Sequence, residues 1–182
     1  ERIVLGEGRT LEAARIKLHH RDAYWEWIEL DGRLDSNNAD SRNTVMVRYV
    51  PTTEGTHELA VEAADAGATL AMFGITDTIV GGRLTITGKS QDDEPNRPLR
   101  GRLNVTQFRL VNAPNLARLL SVATLTGLVD VLTGEGFLFT GLRAEFEKVG
   151  GYIEIEDARA HGPSLGITAD GWVETKKDRI SI

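Results

Sequence analysis

Gly162-Pro163-Ser164-Leu165-Gly166 spells the glycine-x-serine-x-glycine of a nucleophile elbow, with His161 just upstream as a candidate base. Such an elbow needs a strand running into the serine and a helix leaving it, so that the hydroxyl stands beside oxyanion donors. The residues after Ser164 read Leu-Gly-Ile-Thr-Ala-Asp-Gly-Trp-Val-Glu, an alternation that predicts a strand. A turn that starts a strand is therefore the better reading, and serine hydrolysis the weaker one. His19 and His20 are neighbours whose rings point to opposite faces of a strand, so they cannot hold one ion together. No further ligand stands at a useful spacing from them, and His57 and His161 are expected at the surface or in turns, with no metal bound. Glu58 and Glu62, and Glu154 and Glu156, fall on the polar side of their strands, where solvation explains them. Gly6-Glu7-Gly8 and Gly134-Glu135-Gly136 are too short for phosphate loops. Neither a catalytic residue nor a cofactor site is expected.

Composition narrows the classes further. The 182 residues suit one substantial domain, expected to span 1–182. The chain opens on Glu1 and closes on Ile182 in mid-alternation, which reads as a piece of a longer protein. A net charge of −6 argues against a nucleic-acid footprint, which needs a basic face. With no cysteine there is neither a disulfide framework nor a thiolate site. Nineteen glycines beside only three tyrosines and five phenylalanines point to many turns and an aliphatic core.

Strands must carry most of this chain. Leu11 to Asp35 alternates as a long strand pair, with Trp25 and Trp27 on one side and Tyr24 and Ile28 on the other. Thr44 to Val50 reads as a strand ended by Pro51. Thr56 to Ala64 sets Leu59, Val61 and Ala63 against Glu58, Ala60 and Glu62, and a short helical turn is expected within Ala66 to Gly74. From Ile79 onward a glycine followed by polar–apolar alternation recurs at Gly82, Gly101 and Gly151. Lys89 to Arg97 reads as an exposed loop. Between Gly101 and Leu110 the apolar phase moves from Leu103 and Val105 to Phe108 and Leu110, the mark of a β-bulge.

Asn112 to Gly136 alone reads clearly as helix, with Asn112 as its cap and Gly134 and Gly136 as stops. Leu116, Leu119 and Leu120 face one way, while Leu128 and Leu132 face nearly the opposite way. Two short helices meeting between Thr124 and Gly127 are expected. The longest uncharged run, Leu119 to Val129, is roughly half of the ~20 residues that cross a bilayer. The expected fold is mainly β with one helical pair: a curved antiparallel sheet whose apolar concave face the two helices cover.

Several stretches between Pro98 and Ile182 are similar to a known family. Pro98-Leu-Arg-Gly101, Phe108-Arg-Leu-Val-Asn-Ala-Pro-Asn-Leu-Ala117, Leu119-Leu-Ser121 and Leu132-Thr-Gly-Glu-Gly-Phe137 resemble the AsmA-like C-terminal region of the AsmA/TamB/YhdP class of bacterial envelope proteins. Phe146 to Ile155 resembles that family's glycine-then-I-x-I unit, and His161 to Val173 its G-P-x-x-x-I unit. The resemblance implies a periplasmic segment of an inner-membrane-anchored protein of a Gram-negative bacterium. It further implies apolar grooves that move phospholipid between the inner and outer membranes, without catalysis. The partners implied are phospholipid acyl chains and neighbouring repeats of the full protein.

The candidate groove lining is the set of same-phase apolar residues Leu84, Ile86, Leu103, Val105, Leu142, Phe146, Ile153, Ile155, Leu165 and Ile167. Leu116, Leu119, Leu120, Leu128 and Leu132 would cover it. The alternative function is a scaffold that docks partners along its sheet edges without binding lipid.

Overall fold

The computed structural model describes residues 3–4, 10–21, 24–34, 43–113, 135–174 and 179–181. Among these residues eleven strands form one antiparallel sheet, and every strand pairs with its neighbours in the chain. They are β1 (Ile3–Val4), β2 (Thr10–Arg21), β3 (Tyr24–Leu34), β4 (Thr44–Pro51), β5 (Thr56–Ala63), β6 (Ile79–Gln91), β7 (Leu99–Leu110), β8 (Phe137–Val149), β9 (Tyr152–His161), β10 (Gly166–Glu174) and β11 (Arg179–Ser181). The protein is therefore mainly β, as the alternation predicts. A single helix, α1 (Ala66–Met72), stands among the described residues where the short helical turn was expected. Asp65 caps it in extended conformation, its carboxylate accepting from the Ala68 N–H at 2.8 Å.

The turns follow their residue types. Gly150 and Gly151 alone join β8 to β9, with Val149 paired to Tyr152 and Gly150 left-handed at φ +57°. The phase change in β7 is present, but it is not the expected β-bulge, since neither neighbouring strand shifts its register. Gln107 has φ +54° opposite Gly82 at +86°, and past that point Phe108 is buried in place of the next alternate residue. The register stays the same on both sides of this line, with Leu84 paired to Val105 and Gly81 to Phe108. Gly82 is required here: a Cβ would lie 2.8 Å from that of Phe108 and 3.0 Å from the Thr106 carbonyl oxygen.

One face of the sheet carries a buried apolar cluster that runs from β2 to β8. Leu11, Leu34, Val45, Ala63, Leu84, Val105, Phe108 and Phe139 form its buried cluster, and α1 adds Ala66 and Met72. Phe108 and Phe139 stack at 5.2 Å. The helix approaches β6 closely because Gly67 has no side chain; a Cβ there would be 2.4 Å from the Ile79 carbonyl oxygen. On the opposite face charges pair across strands, as in Arg102–Glu145 at 2.8 Å and Arg100–Glu147 at 2.9 Å.

Several expectations need correction or fall elsewhere. The helical pair, with Leu116, Leu119, Leu120, Leu128 and Leu132 as cover, lies outside the described residues. Asn112 is left-handed at φ +47°, whereas an N-cap is extended, so it does not have cap geometry. Lys89 to Arg97 is not simply an exposed loop. Its first three residues extend β6, and Asp92 and Arg97 are partly buried. His57 is not at the surface either; it is 2% exposed.

Candidate functional site

The strand register gathers the candidate lining residues on one face. Leu84, Val105, Leu142, Ala160 and Ile167 lie side by side across β6 to β10, and Ile86 and Leu103 form the next pair along the strands. Gly88, Gly101, Phe146 and Ile155 make the third row, and Ile153 stands opposite Lys148 in a fourth. Their burial divides them. Leu84 and Val105 are sealed in the core, whereas Ile86, Leu103, Leu142, Phe146, Ile153, Ile155, Leu165 and Ile167 are half-buried. Leu165 precedes β10, in the turn closed by the Gly162 N–H donating to the Leu165 carbonyl at 3.0 Å.

At the end of this face away from α1, a polar cluster replaces the aliphatic core. His57 in β5 faces inward because it shares the phase of Leu59, Val61 and Ala63. Its Nδ1 lies 2.8 and 3.0 Å from the carboxylate oxygens of Asp92, and its Nε2 is 3.1 Å from the Glu26 carbonyl. The ring stacks on Tyr49 at 4.8 Å, and the Tyr49 hydroxyl shares a hydrogen bond with Ser90 at 3.0 Å. Burial pushes the Tyr49 phenol above its ordinary pKa; the Ser90 hydrogen bond opposes this and the Asp92 charge adds to it.

The loop between β6 and β7 crosses to β3 and closes the cluster. Arg97 lies 4.5 Å over the Tyr24 ring and 3.5 Å from the Glu26 carboxylate. Asn96 and Arg97 are both left-handed, at φ +64° and +44°. Beneath the loop is a cavity of about 350 Å³ lined by Ile28, Val47, Tyr49, Leu59, Leu99 and the cations Arg97 and Lys148, among others.

Ser90, His57 and Asp92 have the letters of a catalytic triad but not its connections. The Ser90 hydroxyl donates to Asp92 at 3.1 Å, while both His57 nitrogens face other acceptors. A nucleophile needs its base within reach, and here the serine contacts the carboxylate. Ser164 stands exposed in the β9–β10 turn and leads into a strand. No hydrogen bond joins it to His161 among the described residues. His161 covers Gly141, where a Cβ would lie 2.7 Å from its Cε1, and its carbonyl accepts from Thr140 at 2.9 Å. His19 and His20 are exposed, His20 lying edge-on to Trp25 at 4.9 Å.

On the polar face a second depression, of about 680 Å³, mixes Lys89, Arg100 and Arg102 with Glu58, Glu145 and Glu147. Glu94 holds the Arg100 guanidinium above its ordinary pKa, and Lys17 holds the Glu29 carboxyl below its own. No helix among the described residues is long and apolar enough to cross a membrane, a statement that says nothing of strands.

No protein-family model matches the chain, and neither the curated proteins nor the solved structures contain a match to it.

Proposed function

We propose that this chain is a lipid-handling segment of an AsmA-like envelope protein, in which the apolar sheet face shields acyl chains from water. The observation that carries the reading is the register. It places apolar side chains of successive strands on one face, and most of those named above are half-buried. Each methylene removed from water on such a surface contributes about 0.8 kcal/mol. The face is read as concave: the cavity under the β6–β7 loop is lined by both Tyr24 of β3 and Lys148 of β8, five strands apart. In a flat sheet those strands would stand about 24 Å from each other. The sequence resemblance from Pro98 to Ile182 supplies the setting of this proposal, phospholipid passage through the periplasm.

A photoreactive residue placed at Leu103, Phe146 or Ile153, and as controls at Thr85 and Glu154 on the polar face, tests it in cells. Lipid adducts are expected from the first three positions and not from the controls. Equal labelling of both faces, or none from either, would remove the support for a lipid-shielding face.

A further inference from the structure

We propose that the cavity beneath the β6–β7 loop is a site for a single-chain amphiphile with an anionic end group, in which Arg97 takes the anion and displaces its contact with Glu26. The proposal rests on the lipid-shielding reading and adds the charge class of the ligand.

Charge is distributed unevenly between the two concavities. The polar-face depression sets Lys89, Arg100 and Arg102 among glutamates, so its cations have partners of their own. Among the described residues the cavity under the loop is lined by two cations, Arg97 and Lys148, and by no carboxylate; Lys148 donates to the Gly150 carbonyl at 3.2 Å. This occurs in a chain with 27 acidic and 21 basic residues. Its other walls include Ile28, Val47, Leu59 and Leu99, and its volume of about 350 Å³ is at the small end of ligand pockets. An apolar body with one anionic end complements those walls.

Arg97 is oriented for the part. Its guanidinium is held over Tyr24, and its buried Nη1 makes no hydrogen bond. The Glu26 carboxylate is 3.5 Å from that nitrogen, beyond the roughly 2.7–2.9 Å of a charge-assisted hydrogen bond. Glu26 thus balances the charge without satisfying the donor. A carboxylate or phosphate entering from the cavity can do both, in the planar geometry that guanidinium favours. The left-handed Asn96 and Arg97 carry backbone strain of about 1–3 kcal/mol each.

Calorimetric titration with dodecanoate, dodecanol and inorganic phosphate separates the contributions of charge and chain. Dodecanoate is expected to bind about tenfold more tightly than dodecanol, and phosphate alone only weakly. Arg97→Gln should erase the difference, Arg97→Lys should keep part of it, and Glu26→Gln should widen it, each titrated at a temperature where its melting curve shows the variant folded. If Arg97→Gln fails to fold, the Arg97→Lys and Glu26→Gln arms still decide. Equal affinity for the two chains, or a difference none of the variants moves, overturns the anionic site while leaving an apolar surface that binds chains. If neither chain binds the folded protein, the lipid-shielding reading fails and this site with it.

Discussion

The two ends of the apolar face come from the same strand alternation and are closed by different means. At the α1 end, Leu11, Val45, Leu84, Val105 and Phe139 belong to one buried apolar cluster with Met72, and the buried Thr69 hydroxyl is satisfied within α1 by the Asp65 carbonyl. At the other end the same phase carries Glu26, Tyr49, His57 and Ser90, and a loop from β6 lays Asp92 and Arg97 across them. Apolar closure is non-directional and tolerates small shifts, whereas the polar closure depends on five or six hydrogen bonds and ion pairs of fixed geometry. The first end suits a permanent core. The second is held by directional contacts, so a single substitution there removes a definite share of what closes it.

The largest contrast should come from placing a charge on each part. Leu84 is 2% exposed, so Leu84→Asp buries an unpaired carboxylate and should cost about 4 kcal/mol or more, enough to abolish the cooperative melt. Ile153→Asp, at a half-buried position, should leave a folded protein with a modestly lowered Tm. Comparable unfolding by both would mean that the face is sealed throughout.

His57→Ala probes the polar end. It removes the imidazole that Asp92 and the Glu26 carbonyl contact and opens space beside Tyr49, for a loss of roughly 2–3 kcal/mol. Hydrogen exchange should quicken at residues 91–98 more than at α1. A uniform increase over the sheet would show that the two ends are not separable. Gly101→Ala should cost less, about 1–3 kcal/mol, because its Cβ would meet the Thr87 carbonyl oxygen at 2.3 Å and Phe146 Cζ at 2.7 Å. Urea denaturation read by tryptophan fluorescence gives that value.

Much of this division was written in the sequence, and the part that was missed had a signal. Leu84, Ile86, Leu103, Val105, Leu142 and Ile167 reach one face because alternation is local and the hairpins fix the register. The step from Val105 to Phe108 was legible for the same reason. Residue type alone points His57 to the surface, whereas its phase with Leu59, Val61 and Ala63 points it inward, and the phase prevails. Glu26, in phase with Tyr24 and Ile28, carried the same warning. The roles of Asp92 and Arg97 could not be read that way. They depend on a loop reaching His57, 35 residues upstream of Asp92, and then β3, contacts that no local pattern encodes.

The smallest predicted effect is a pH dependence confined to the polar end. Burial raises the folded-state pKa of Tyr49 above its ordinary value of 10.0, so the folded protein holds that proton more tightly than the unfolded chain does. The resulting stability is fully present below pH 10.0 and is lost as pH climbs from there through the higher folded pKa. Ionised Tyr49 would face Asp92 as a second negative charge. Chemical denaturation at pH 8, 10 and 11 should therefore show an alkaline loss that Tyr49→Phe reduces, while Tyr152→Phe, at an exposed position, leaves it unchanged. An alkaline loss that is the same in Tyr49→Phe and the parent protein would mean that the stability of the polar end does not depend on this phenol.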